Sequence, residues 1–298
     1  MRYKIYLQII FKVRLLKHLM DKISSSWHFG PQPAEIVILA GIHGNEKANV
    51  ETITQFMKSN LLTDLKKGVL FIIGNSKALE KNVRYTETDL NREFGVFSNS
   101  TEGKRAKEIS NFLEKANFLL DLHLTQTPTL EPFSSSVPTK NNISFLEKMD
   151  VPINNFVLSS AVNPGSMSTD EYLIYKNPEG IALTLELGSI LDNPNKIIEL
   201  GKRTITEFLK VAGAIKNNKE IEKRNIDFWK NSQFIENKEN TDLIPGIKNF
   251  MPIKKGQVIA YETNNSIKAL FDGKALFPKY VKTTDKYLLR VITKQQDI

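Results

Sequence analysis

The sequence predicts an α/β fold. Three observations carry that prediction. Short β-branched apolar runs recur at 36–40, 69–73, 117–124 and 181–187. Stretches with apolar residues at helical spacing lie between or after them, at 46–58, 103–116 and 195–215. From about residue 226 the pattern changes to short runs, such as 257–261 and 287–292, separated by the turn signals Pro245-Gly246, Lys255-Gly256 and Asp272-Gly273.

The elements follow in order. The first run, Ile36 to Ala40, lies between Pro33 and Gly41 and reads as a strand buried on both faces; Val50, Ile53, Thr54 and Met57 form the stripe of the helix after it. Val69 to Ile73 is a second such strand, ended by Gly74-Asn75. Ala106, Ile109, Phe112 and Leu113 share a helical face. Strands alternating with helices place a largely buried sheet between helical layers, and the turn-rich C-terminal part reads as a small all-β module. The expected organisation is a basic N-terminal segment at 1–30, a catalytic domain at 31–225 and a small β domain at 226–298.

With 298 residues the chain can bury about 75% of its unfolded surface, so it needs no disulfide or metal in order to fold. Hydrophobic residues make up 41% and charged residues 25%, which excludes a disordered or fibrous protein. There is no cysteine, so thiolate zinc sites, iron–sulfur clusters and cysteine nucleophiles are excluded. A reducing compartment is compatible with this, and the cytoplasm is the expected location. Of the net charge of +8, residues 1–22 carry +5, so the basic excess is partly an N-terminal feature and speaks against a nucleic-acid-binding body. Lys12, Arg14 and Lys17 interrupt any apolar core of a secretory signal. Ile9, Val13, Leu16 and Met20 lie on one helical face; packing against the domain is favoured over a membrane-surface role. No run is long and apolar enough to suggest a membrane span.

The chemistry collects where strands end. Gly41-Ile42-His43-Gly44-Asn45-Glu46 follows the first strand, and an imidazole and a carboxylate three residues apart can converge on one ion. His123 ends the 117–124 strand, so neighbouring strands could bring it to the same ion, leaving a fourth position open. Asp121, two residues back, is compatible with a supporting role to His123 or with a structural one. Glu186 sits inside an apolar strand, where a carboxylate is costly; it reads as a general base, or as a strand-end group bonded to a helix N-terminus. In the polar stretch 82–92, Arg84 and Arg92 suit an anionic substrate, with Asp89 able to hold one of them; a solvated loop with surface ion pairs is the alternative. His18 and His28 lack partners at ligand spacing.

These motifs occur in one order: Ala40-Gly41-Ile42-His43-Gly44-Asn45-Glu46, Arg84-Tyr85 with Asp89-Leu90-Asn91-Arg92, Asp121-Leu122-His123, and Thr184-Leu185-Glu186-Leu187-Gly188. Together they resemble the succinylglutamate desuccinylase/aspartoacylase family of zinc-dependent N-acyl amino acid amidohydrolases, over about residues 34–292. Asn249-Phe250-Met251-Pro252, Lys255-Gly256 and Leu276-Phe277-Pro278 look more like the bacterial succinylglutamate desuccinylase branch. The resemblance implies a zinc-carboxypeptidase-like mixed sheet flanked by helices. It implies one zinc ion per subunit on His43, Glu46 and His123, and Glu186 as catalytic base and then acid. Arg84 would help polarise the scissile carbonyl, Asn91 and Arg92 would grip a substrate carboxylate, and Tyr172 would stand in the substrate pocket. Lys176 falls near where aspartoacylases carry a second carboxylate-binding arginine, and lysine lacks the bidentate fork. Residues 125–180 are expected to hold the specificity loops.

The expected activity is hydrolysis of N-succinylglutamate to succinate and glutamate, with a small-molecule N-acyl amino acid as the binding partner. The alternatives are an aspartoacylase or other N-acyl amino acid deacylase, a carboxypeptidase, and a non-hydrolytic binding protein. A phosphate-binding loop and a serine nucleophile elbow are absent from the sequence.

Overall fold

The computed structural model describes residues 25–159, 165–217, 222–281 and 286–296. The expected N-terminal helix at 1–22 lies outside the described residues. Among those described, eleven strands form one mixed sheet in the order β1-β3-β2-β4-β7-β5-β6-β8-β14-β13-β10. The first seven are β1 (Ser26–Phe29), β2 (Ala34–Ala40), β3 (Gly68–Ile73), β4 (Phe118–Thr125), β5 (Phe133–Ser136), β6 (Asn155–Leu158) and β7 (Ile181–Ser189). The C-terminal part contributes β8 (Asp227–Glu236), β10 (Pro252–Ile253), β13 (Gly273–Leu276) and β14 (Tyr287–Gln295). A separate three-stranded antiparallel sheet is made of β9 (Thr241–Leu243), β11 (Val258–Glu262) and β12 (Asn265–Lys268).

The four strands anticipated from apolar runs, β2, β3, β4 and β7, form the parallel centre. They read as uninterrupted apolar runs because helices cover both faces. Alternate residues go to opposite sides. Ile36, Ile38, Leu120, Leu122, Leu183 and Leu185 join one cluster with α1 (Lys47–Phe56), α4 (Lys140–Glu147) and α6 (Pro194–Val211). Val37, Leu39, Leu119 and Ala182 join the other with α3 (Thr101–Leu113) and α5 (Thr169–Lys176). The short α2 (Ser76–Lys81) follows β3.

The C-terminal residues have a core of their own, including Ile235, Ile259, Leu289 and Val291. The backbone, however, is continuous across residue 226: β8 pairs in parallel with β6 and antiparallel with β14. A second junction is apolar, where Phe133 and Val157 pack with Trp229, Phe250 and Leu276. Among the described residues, no helix is long and apolar enough to cross a membrane.

The turn after β2 depends on two glycines. Gly41 has φ +71°, a conformation that side chains disfavour. Gly44 lies so close to α2 that a Cβ there would sit 2.1 Å from the Ala78 carbonyl carbon. Since that neighbour is backbone, Gly44→Ala is expected to destabilise the fold by about 3 kcal/mol. Urea denaturation measures this; a change below about 0.5 kcal/mol would show that the turn moves freely.

Candidate metal and acyl-hydrolysis site

His43, Glu46, His123 and Glu186 come together at the carboxyl ends of β2, β4 and β7. Ala40 pairs with Leu122 and His123 with Glu186, so strand register alone makes these groups neighbours. Asp121, His123 and Glu186 continue the sheet face of Leu119 and Ala182. Glu46 occupies the N-cap position of α1, yet its carboxylate caps nothing. Instead its Oε1 lies 2.6 Å from His43 Nδ1, and its Oε2 lies 3.5 Å from His123 Nδ1 and accepts from the Leu124 amide at 3.0 Å.

The far nitrogens of both rings face acids. His43 Nε2 is 3.2 Å from Asp89 Oδ1, and His123 Nε2 is 3.0 Å from Asp121 Oδ2. An outer carboxylate fixes the ring and its tautomer and leaves the inner nitrogen to a metal. Three potential ligand atoms, one each from His43, Glu46 and His123, lie within 4.8 Å of one another, and all three residues are buried. The trio can hold a metal ion. The charge balance agrees: Glu46, Asp89, Asp121 and Glu186 surround two imidazoles, an acid excess that a divalent cation would compensate. Burial alone would raise the Glu46 carboxyl, but His43 and His123 outweigh it and bring it down to about 2.

Glu186 is 8% exposed, and its Oε2 has no hydrogen-bond partner. Burial, reinforced by the Glu46 charge, raises its carboxyl to about 7 against the pull of His123, His43 and Arg84. A carboxyl near neutrality is matched to accepting and returning a proton.

The loop bearing the arginines is built around two acids. Asp89 contacts His43, accepts from Arg84 at 3.2 Å and caps the short 3₁₀ turn Leu90–Arg92 through the Asn91 amide at 3.0 Å. Glu102, buried in the first turn of α3, accepts from Asn75, from the Thr86 amide and hydroxyl, and from the Glu87 and Thr88 amides. Asn91 Oδ1 accepts from the Thr169 amide, while the Thr169 hydroxyl donates to Asp121 at 2.5 Å. The arginine loop, α5 and the histidine-supporting acid thus form one connected network.

A cavity of about 810 Å³ opens onto this constellation. Its lining includes His43, Glu46, Arg84, Asn91, Arg92, His123 and Glu186, so seven of the eight residues to which the family resemblance gave a site role share one space. Tyr172 does not. It is 2% exposed, packs against Phe94 and Phe97, and donates its hydroxyl to Glu114. The pocket role expected of Tyr172 is therefore corrected. Helical geometry supplies the reason: Asp170 and Glu171 line the cavity, and the next residue of α5 turns about 100° away, into the core. Lys176 likewise sits beside Glu114, at 3.8 Å.

Sequence reasoning missed the far wall. Phe277, Pro278, Lys279, Tyr280, Val281 and Arg290 from the C-terminal part line the same cavity. Arg290 was detectable as a lone charge among Leu288, Leu289, Val291 and Ile292, which are all buried. The wall is pinned to the loop after His123. Asn249, fully buried, donates to Thr127 and Pro128 and accepts from the Phe277 amide at 2.6 Å, and the Thr127 hydroxyl donates to the Pro278 carbonyl.

Comparisons with known proteins agree with this geometry. Residues 32–212 match the family model described as the succinylglutamate desuccinylase/aspartoacylase catalytic domain. A succinylglutamate desuccinylase from Pseudoalteromonas atlantica is 29% identical over 281 aligned residues, covering 82% of this chain and 76% of that protein. A probable aspartoacylase from Prochlorococcus marinus is 41% identical over 88 residues, covering 29% of this chain and 28% of that protein. The crystal structure of succinylglutamate desuccinylase from Vibrio cholerae superposes with a TM-score of 0.70 at 20% identity, covering 91% of this chain and 85% of that one, a likeness of fold.

One group in the cavity wall makes stability depend on pH. Burial first, then the charges of Glu171 and Asp121, raise the Asp170 carboxyl from 3.8 to about 6, against its bonds from Ser168 and the Val137 amide. The folded chain therefore favours the protonated form, and that contribution is full below pH 3.8 and lost as pH rises through 6. Asp170→Asn, which can satisfy both partners, should gain on the parent by about 2 to 3 kcal/mol between about pH 4 and pH 7 in urea denaturation. A pH-independent difference would mean that Asp170 is ionised throughout.

Proposed function

The chain belongs to the succinylglutamate desuccinylase/aspartoacylase family, and from that premise we propose that it is a zinc-dependent amidohydrolase that cleaves the acyl group from an N-acyl amino acid, N-succinylglutamate being the foremost candidate. The observation that carries this reading is the convergence of a buried His–Glu–His trio, a buried carboxyl near neutrality and two arginines in one cavity.

His43, Glu46 and His123 would hold the zinc, a donor set suited to that ion, and bound zinc would supply Lewis acidity toward the scissile carbonyl and an attacking water. Glu186 takes the proton of the attacking water and returns it to the leaving nitrogen. Its raised carboxyl suits both transfers at neutral pH. Arg84, oriented by Asp89, donates to the carbonyl oxygen as negative charge develops there. Asn91 and Arg92 hold a substrate carboxylate, with Asn91 itself fixed through Thr169. The products are a carboxylate, succinate for the foremost candidate, and a free amino acid.

The local likeness to a probable aspartoacylase supports a second reading, with N-acetylaspartate as substrate. Amine release from N-succinylglutamate, N-acetylaspartate and a dipeptide, each with and without chelator, separates the readings. Chelator-sensitive release from N-succinylglutamate is expected; preference for N-acetylaspartate would keep the chemistry and change the substrate, and release from the dipeptide alone would point to a carboxypeptidase. Glu186→Gln should retain one zinc per chain by elemental analysis while losing about 10²- to 10⁴-fold in kcat. Retained turnover would refute the role of Glu186.

A further inference from the structure

Phe133 of β5 is followed by three serines, and two of them are bonded into the sheet. Ser134 and Ser136 bond to each other and to the Thr184 carbonyl, and the Thr184 amide donates to Ser136 at 2.8 Å. Ser135 lies between them, so it turns to the opposite face, where it lines the cavity. Thr184 lines the same cavity from β7, two residues before Glu186 and therefore on the same face. Thr184 is 6% exposed, and its hydroxyl has no hydrogen-bond partner among the described residues. A hydroxyl is costly to bury unbonded, and a valine of the same shape would avoid that cost.

Strand register sets these groups side by side. Phe133 pairs with Glu186 and Ser134 with Leu185, which brings Ser135 opposite Thr184; Ser135 pairs in turn with Val157 of β6. The row of Thr184, Ser135 and Val157 crosses three strands about 5 Å apart and lies about 7 Å along them from the row of Glu186 and Phe133. That is the reach of a glutamine side chain from the scissile nitrogen, or of a succinamoyl group from the scissile carbonyl. None of β5, β6 and β7 carries a lysine or arginine. Asp170 and Glu171 of α5 line the cavity, and Asp121 pairs with Thr184 in the sheet, so a carboxylate would meet like charge here. An ammonium would find those acids engaged. Asp170 accepts from the Ser168 hydroxyl and the Val137 amide, Glu171 accepts from the Ser168 amide, and Asp121 is fully buried against His123 and Thr169. Thr184 and Ser135 offer hydroxyls, each able to donate and to accept. A carboxamide, with a donor and an acceptor side by side, matches that pair.

We propose that Thr184 and Ser135 form an uncharged hydrogen-bonding subsite on the cavity floor, and that through it the chain also deacylates N-acyl amino acids that carry a carboxamide. This rests on the deacylase reading. The substrate carboxylate stays with Asn91 and Arg92, the scissile bond lies at Glu186, and the carboxamide descends to the two hydroxyls. It belongs either to the amino-acid side chain or to the end of the acyl group. A site whose buried hydroxyl is bonded only when such a substrate is present discriminates against an apolar analogue of the same size.

Kinetics on the full chain test this. N-acetylglutamine carries the carboxamide on the side chain and N-succinamoylalanine carries it on the acyl group; N-acetylmethionine and N-pentanoylalanine are their apolar counterparts. Thr184→Val, which keeps the shape, and Ser135→Ala should each raise KM at least about 10-fold more for one carboxamide than for its counterpart. The pair that separates identifies the end of the substrate that reaches the floor. Thr184→Val should also melt no lower than the parent, since no bond within the fold is lost; a lower Tm with equal losses on all four substrates would show a structural role and overturn the subsite. Equal losses at unchanged Tm, or none, would overturn it while leaving the deacylase reading intact. So would a parent chain that cleaves N-succinylglutamate but neither carboxamide, or a larger loss on N-acetylglutamate or Nα-acetyllysine than on N-acetylglutamine. If no substrate is turned over, calorimetric titration with N-acetylglutamine separates the two ideas. A Kd at least about 10-fold weaker in Thr184→Val would uphold the subsite and reject the reaction; an unchanged Kd, or no binding to the parent chain, would overturn the subsite.

Discussion

A carboxylate buried at the end of a parallel sheet is the constraint to which the surrounding structure answers. Glu46 is fully buried, and burying an isolated charge costs far more than any single packing contact returns. Its compensation comes from three directions: His43 in the same turn, His123 on β4 and the backbone amide of Leu124. Each histidine then needs its own partner, and Asp89 and Asp121 meet that need. The solution works only if β2 and β4 are adjacent and in register, so the sheet topology and the electrostatics of the site depend on each other.

The same logic extends outward into the arginine loop and the helix after it. Asp89 ties the arginine loop to His43, and Glu102 ties that loop to the start of α3, where a carboxylate also benefits from the helix dipole. Burial opposes ionisation of Glu102, but its bonds from Thr86, Asn75 and Thr88 outweigh that and lower its carboxyl. Thr169 closes the circuit between Asp121 and Asn91. Groups that would bind substrate and groups that would bind metal are thus held by shared partners, which suits a reaction needing both within a few tenths of an ångström.

What the sequence made legible follows from burial. β2, β3, β4 and β7 are covered on both faces, so they appear as apolar runs, and the motifs at their carboxyl ends could be located by strand logic alone. β5 was hidden because its residues are Phe133 followed by three serines. Ser134 and Ser136 are buried by bonding to each other and to the Thr184 carbonyl, not by being apolar. β8 was hidden because one face is solvated and its pattern, from Asp227 to Glu236, is mostly polar. Tyr172 shows where resemblance goes too far: helical phase decides which of three consecutive residues faces the cavity, and a family pattern without a local motif does not fix that phase. The cavity's far wall was invisible for another reason, since its residues lie more than 150 positions from His123 and only the completed sheet brings them near.

The sheet that runs through residue 226 also affects how the protein is made. Until β8 emerges from the ribosome, the mixed sheet ends at β6, a bare edge able to pair with any extended strand nearby. β8 in turn stays half-paired until β14, some fifty residues further along the chain, is laid beside it. The catalytic half therefore has a nascent phase in which its most adhesive backbone is open to other chains, and the C-terminal strands act as a late built-in cover for that edge.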